Sequence, residues 1–259
     1  MNQLRAALRA AEVHLKLQVV NPLAYLGAII FPVAVTAIGL IVLSPGGYTG
    51  RIAYAALGGG LVGLYGTAYT DAGFSINSER WTGTLEQLMG SPTPLSVIVI
   101  GKVAASMLYG LAAILVSVGL AFVAFHRVLP LTDAVPFAVS FLLTIVAFFA
   151  VCMAMAPVFP MARWAFTIVN GLELTVYLLC GFMFPTGQLP GWVQAISSIL
   201  PPTWTIRALY AATGQPVGRD YARWWLIASV LIVIYLAISI VSFRIVEVRT
   251  RMSGQLALA

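Results

Sequence analysis

Of the chain's 259 residues, 61% are hydrophobic and only 8% are charged. Soluble domains carry about 25% charged residues, so an ordinary soluble core is excluded and the bilayer is the solvent. The net charge of +6 comes from 14 basic residues scattered between apolar runs; that spread suits topology-setting charges and argues against a nucleic-acid partner.

Residues 1–22 form a polar leader, and 2–20 of it read as a helix. At 100° per residue Arg5, Arg9, Glu12 and Lys16 fall within an arc of about 60°, flanked by Leu4, Leu8, Leu15 and Val19 on one side and Val13, Leu17 and Val20 on the other. A narrow cationic stripe on an apolar helix suits one lying in the headgroup plane. Asn21-Pro22 then breaks the helix and turns the chain inward. The first apolar run, Leu23 to Leu43, is too long for a signal peptide core and lacks a small-residue cleavage site, so it reads as a retained anchor.

The expected architecture is all-α, with six spans at 23–43, 52–76, 98–125, 135–156, 165–184 and 224–243. With the N-terminus inside, Arg5, Arg9, Lys16, Arg80, Lys102, Arg163, Arg244, Arg249 and Arg251 are cytoplasmic. Arg51, Arg127, Arg207, Arg219 and Arg223 are then outside. That excess places both termini in the cytoplasm of a multi-pass protein of the cell membrane. Span 2 repeats Ala55, Gly59 and Gly63 and adds Gly58, Gly60 and Gly66; span 3 carries Ser106, Gly110, Ala113 and Ser117 on one face. Small residues at this spacing predict close helix packing.

Between these spans lies the longest polar interruption in the first two-thirds of the chain, the loop 78–94. It holds Glu79, Arg80 and Glu86, a short expected helix from Thr84 to Met89, and the breaker Ser91-Pro92-Thr93-Pro94. Such a segment has no place in hydrocarbon and must project into water, where another protein can push on it.

Span 4 ends at Pro157 and Pro160, and span 5 carries Asn170, Glu173 and Tyr177 on one helical face. A carboxylate at this depth costs about 2.5–3.5 kcal/mol on insertion scales, so Glu173 should face protein or water. It either lines a pathway or is hydrogen-bonded in a helix or subunit contact. The outer segment 185–221 has a stretch from Leu189 to Leu200 that is too short to cross. Pro201-Pro202 follow, and Thr203 is expected to cap a helix Trp204 to Ala212 closed by Gly214. Two short semi-apolar helices predict a re-entrant hairpin buried against protein.

Two stretches resemble the type-2 ABC exporter permeases, the membrane subunits of ATP-binding-cassette exporters. One runs from Glu79-Arg80 through Gly83-Thr84-Leu85-Glu86, with Leu88 and Met89, to Ser91-Pro92 and Gly101-Lys102. The other runs from Leu189-Pro190-Gly191-Trp192 through Leu200-Pro201-Pro202-Thr203 to Arg207-Ala208-Leu209. Trp81 and Thr82 stand where the family usually shows a further charge.

The resemblance implies two paired permease copies, identical or different, each driven by a cytoplasmic ABC ATPase subunit that carries the ATP and magnesium. It makes the loop between spans 2 and 3 the coupling helix, with Glu79, Arg80, Gly83, Thr84, Leu85, Glu86, Leu88 and Met89 at the ATPase and the leader helix assisting through Arg5, Arg9, Glu12 and Lys16. Spans 2 and 5 would line the path with Tyr65, Tyr69, Asn170, Glu173 and Tyr177. Trp192, Pro201, Pro202 and Trp204 would belong to an outer gate. An amphipathic drug, secondary metabolite or lipid-like compound, as in multidrug-resistance exporters, suits these faces. A polysaccharide or glycolipid exporter shares the architecture, and a secondary transporter or channel is the rival from another class.

The chain holds no complete phosphate loop: Ser96 stands where the glycine before Gly101-Lys102 is needed, and no Ser or Thr follows Lys102. No metal or catalytic triad is apparent, so the chain is expected to be a permease without cofactor whose energy comes from its partner.

Overall fold

The computed structural model describes residues 3–20, 26–43, 52–81, 83, 93–126, 131–157, 165–215 and 218–253. Among these, helices and turns make up the whole fold and no strand occurs. Helix α1 is Gln3–Val20. A π-helical turn, Leu26–Ile30, leads into α2, Phe31–Leu43. Then come α3 (Ile52–Trp81), α4 (Leu95–Phe125), α5 (Ala134–Met155) and α6 (Ala165–Leu179). After a short 3-10 turn (Thr186–Gln188) follow α7 (Gly191–Ser197), α8 (Pro201–Ala211) and α9 (Tyr221–Ser253).

Among the described residues, three helical stretches, Leu95–Ala124, Ala134–Met155 and Tyr221–Val246, are long and apolar enough to cross a membrane; Ala28–Val42 is a shorter apolar helix. Their outer faces carry large apolar side chains with no protein against them. Leu115 is 75% exposed, and Leu108, Phe122, Val123, Leu142 and Val233 are exposed beside it. Such a belt is stable in hydrocarbon and would be an aggregation surface in water.

The centre is built on α3 and α4. Close approach explains their small residues: a Cβ on Gly60 would lie 2.7 Å from the Ile114 Cα, and one on Gly110 2.9 Å from the Leu64 Cα. Around this pair the core gathers Leu57, Leu61, Leu64, Tyr65, Tyr69, Phe148, Phe182, Ile206, Leu209 and Tyr210. Helix α8 packs on α5 and α9, and α1 lies along α4.

Several boundaries depart from those expected. Helix α3 continues past residue 76 to Trp81, so Glu79 and Arg80 form its last turn; no proline or glycine interrupts residues 67–72 or 74–81, and a polar helix end needs no break once it leaves the bilayer. Helix α6 stops at Leu179 and not at 184, because Gly181 takes a left-handed φ of +69° and Phe182 N–H turns back to the Tyr177 carbonyl at 3.2 Å. The last helix extends three residues earlier and ten later than the expected 224–243.

Thr203 is not a cap. Helix α8 starts at Pro201, which suits the first-turn position where an N–H is dispensable. Thr203 instead donates to the Ser197 carbonyl at 2.7 Å and ties α8 back to α7. Gly214 does close the helix, with φ +76°.

Candidate functional site

A cavity of about 240 Å³ opens between the end of α1, the π-helical turn, α2, α3, α4 and α6. Its α3 wall is Val62, Gly63, Gly66, Thr67, Thr70 and Asp71; Gln18, Tyr109, Glu173 and Tyr177 face it from the other helices. The lining is mainly apolar, with two carboxylates and neither a lysine nor an arginine among its described residues.

Glu173 and Tyr177 stand one turn apart on α6, and the Tyr177 hydroxyl donates to Glu173 Oε1. The same hydroxyl lies 3.3 Å from the Val62 carbonyl on α3. This pair reaches α3 only because Gly66 has no side chain: a Cβ there would sit 2.6 Å from the Tyr177 hydroxyl and 2.8 Å from Glu173 Oε1. Glu173 is therefore both hydrogen-bonded and turned toward a cavity.

At the other end, α1 contributes a polar group of contacts. Gln18 Nε2 and Ser106 Oγ both donate to Asp71 Oδ2, and His14 Nε2 lies 3.3 Å from the same oxygen. Gln18 Nε2 is also 3.2 Å from Ser106 Oγ, and His14 Nε2 is 3.1 Å from it. Three helices thus meet on one carboxylate. The approach of α1 depends on Gly101, where a Cβ would fall 2.3 Å from the Ala7 carbonyl oxygen. Gln18 Oε1, buried with no hydrogen-bond partner, is left over.

The predicted site residues separate into groups. Arg5, Arg9, Glu12 and Lys16 all lie on the exposed face of α1. Lys16 bonds Glu12 one turn away and holds its carboxyl below the usual carboxylate range. Leu4, Leu8, Val13 and Leu17 are exposed on the flanks of that stripe. Glu79 and Arg80 end α3, and Gly83 is an exposed turn residue at φ +71°. Thr84, Leu85, Glu86, Leu88 and Met89, with the short helix expected there, lie outside the described residues. Asn170 belongs to α6, but its side chain also lies outside them.

Tyr65 and Tyr69, expected on a path-lining face, point into the core of the chain, where both are 0% exposed. Their rings stack at 5.2 Å, and Tyr65 meets Tyr177 edge-on at 5.7 Å. At 100° per residue their mean direction lies about 130° around α3 from that of Gly63, Gly66, Thr67 and Thr70, which face the cavity.

In the hairpin, Trp192 is 71% exposed on α7, while Pro201 and Pro202 are buried at the start of α8. Trp204 donates from Nε1 to the Ser198 carbonyl at 2.9 Å, with the Arg207 guanidinium 5.2 Å from its ring centre. Arg207 in turn donates to Thr186 Oγ1 at 3.0 Å, and the buried Tyr210 hydroxyl donates to the Phe182 carbonyl. Helix α8 is largely buried, whereas most of α7 is exposed.

Sequence reasoning singled out none of His14, Gln18, Thr67, Thr70 and Asp71 as site residues. One signal was present: Ala7, Ala11, His14 and Gln18 recur at helical spacing opposite the cationic stripe. A small and polar face there marks a helix with protein on that side.

Among protein families, a model described as ABC-2 type transporter matches residues 12–213, from the middle of α1 to just beyond α8. A search of curated proteins found no match.

Proposed function

The chain belongs to the ABC-2 type transporter family, whose domain is the membrane subunit of an ABC transporter and not its ATPase; from that premise we propose an exporter of amphipathic or lipid-like compounds, driven by a separate cytoplasmic ATPase. Six spans with both termini in the cytoplasm, two permease copies around a central path, and residence in the cell membrane complete the reading.

The observation that carries the mechanism is the continuity of α3. This single helix of 30 residues contains the cavity wall from Val62 to Asp71 and ends in Glu79 and Arg80. Only nine residues separate Asp71 from Arg80, about 14 Å of helix at 1.5 Å per residue. A push delivered just beyond Trp81 reaches the cavity without passing a hinge. Helix α3 also packs along α4, which resumes at Leu95 on the other side of the loop, so the loop is anchored at both ends to one rigid pair.

In this mechanism ATP binding draws two ATPase subunits together, and each presses on residues 84–89. Leu85, Leu88 and Met89 enter a groove on the ATPase, and Glu79, Arg80 and Glu86 set the register. Buried apolar anchors supply most of the affinity of such a contact and rim charges supply specificity. The exposed stripe of α1 lies parallel to the headgroups, where Arg5, Arg9 and Lys16 meet lipid phosphates or the ATPase edge. The hairpin α7–α8 forms part of the outer gate, with Trp192 at the lipid boundary. Glu173 favours cationic substrates.

The test is the double substitution Leu85→Asp, Leu88→Asp. The ATPase should no longer co-purify with the permease from detergent, and transport should fall to background. Survival of both would remove residues 84–89 from the coupling role.

A further inference from the structure

We propose that the cavity between α1, α3 and α6 binds the ammonium head of a cationic amphiphile, with Asp71 and Glu173 as counter-charges and the Gln18 carbonyl oxygen as a hydrogen-bond acceptor. This deepens the exporter reading and rests on it for the fate of the ligand, but not for its binding.

The chemistry of the wall selects the ligand. Asp71 and Glu173 approach the cavity from different helices, and no arginine or lysine among the lining residues answers them. Carboxylates in a largely apolar enclosure require a cation or a proton. Gln18 is 8% exposed and spends its amide N–H groups on Asp71 and Ser106. That leaves Oε1 buried and without a hydrogen-bond partner, on a residue that lines the cavity. A buried acceptor of this kind is unfavourable until a donor arrives. His14 stands 3.3 Å from Asp71 Oδ2 on the α1 side, and among the described residues Glu173 has only the Tyr177 hydroxyl. An N–H-bearing cation supplies the charge that Glu173 lacks and the donor that Gln18 lacks.

Size and lining exclude a bare metal ion. The space of about 240 Å³ exceeds what an ion needs, its surface is mainly apolar, and no group of three or more metal-ligating side chains occurs among the described residues. Phe31, Val62 and Ala28 offer an apolar wall to a hydrocarbon chain attached to the head. The arrangement also gives α1 a function beyond lying at the interface: through Gln18 it closes one side of the site.

The experiment uses the purified full-length permease without ATPase, in a neutral detergent, with radiolabelled dodecylammonium as the probe. Saturable binding is expected, competed by unlabelled dodecylammonium and not by dodecanol or dodecanoate. Asp71→Asn and Glu173→Gln should each weaken it at least tenfold, and Gln18→Leu severalfold. Equal competition by dodecanol, or unchanged binding in the Asp71→Asn, Glu173→Gln double variant, would overturn the proposal.

Thr70→Cys keeps both carboxylates and reads the site directly if those variants fold poorly. Dodecylammonium should slow its reaction with a neutral thiol reagent while dodecanol does not, Cys152 and Cys180 being buried; equal rates with and without dodecylammonium would overturn the proposal. Binding that persists when the ATPase fails to co-purify would sink the exporter reading and leave this site intact. Lost protection in a permease that still couples to its ATPase would do the reverse.

Discussion

Two glycines on α4 should respond unequally to the same substitution. Gly101→Ala places a methyl group 2.3 Å from the Ala7 carbonyl oxygen and 3.2 Å from the Ala11 nitrogen. Ordinary contacts to a Cβ begin near 3.4 Å, so α1 must retreat by roughly 1 Å. The third close neighbour is the Ala10 Cβ at 3.0 Å, and since two of the three are backbone atoms and the third is a Cβ, no rotamer change relieves them. Gly119→Ala, on the same helix, meets nothing within 4 Å.

Each substitution gains the same intrinsic helix propensity, about 0.8–1 kcal/mol. The difference between them therefore isolates the clash, and overpacking of this kind costs about 1–3 kcal/mol. Retreat of α1 also loosens the hydrogen bonds of Gln18 to Asp71 and Ser106, which pushes the difference toward the upper end. Equilibrium unfolding in mixed micelles, followed by far-ultraviolet circular dichroism, measures both variants. Gly119→Ala should be neutral or stabilised and Gly101→Ala less stable than it by about 1–3 kcal/mol. Equal stability of the two would refute the packing of α1 on α4 through Gly101.

Gly66→Ala should change the unfolding free energy by no more than about 1 kcal/mol, since the atoms it meets are side-chain ends that can swing away; transport of a cationic substrate should fall, measured in inverted vesicles. Tyr210→Phe removes the hydrogen bond to the Phe182 carbonyl and should destabilise by about 0.5–1.5 kcal/mol in the same unfolding assay. Lys16 depresses the Glu12 carboxyl, so whatever stability that pair adds is present above the unfolded carboxylate range and is lost as pH falls through the folded value. Because the pair is fully exposed, Glu12→Gln should leave the thermal midpoint unchanged at pH 7 and physiological salt.

The helices themselves were largely legible, because an apolar run of about 20 residues has few alternatives once water is excluded. The leader is helical over Gln3–Val20, its stripe of Arg5, Arg9, Glu12 and Lys16 is exposed, and the break expected at Asn21-Pro22 lies outside the described residues. Which face of a spanning helix looks where was not legible. Lipid and protein core are both apolar, so Tyr65 and Tyr69 carry no mark in sequence that separates a core-facing ring from one on a path. Small residues were informative about contact and silent about the partner: Gly60 meets Ile114, whereas Gly58 meets the Phe182 carbonyl. The end of α3 was misplaced because polarity was taken as the end of the helix, although Ser78-Glu79-Arg80-Trp81 need only leave the membrane to remain helical. The Asp71 cluster was hidden for a third reason. Its members are 88 and 53 residues from Gln18 in sequence, and only the docking of α1 brings them together.

The central claim is that work enters through the end of α3 and travels along it as along a rod. Three glycines inserted between Ile76 and Asn77 would leave residues 84–89 free to hold the ATPase while breaking the rod short of the cavity. In proteoliposomes containing both subunits, the ATPase should bind and hydrolyse ATP as before, while substrate export falls to background. Export at the original rate through the flexible insertion would contradict the account.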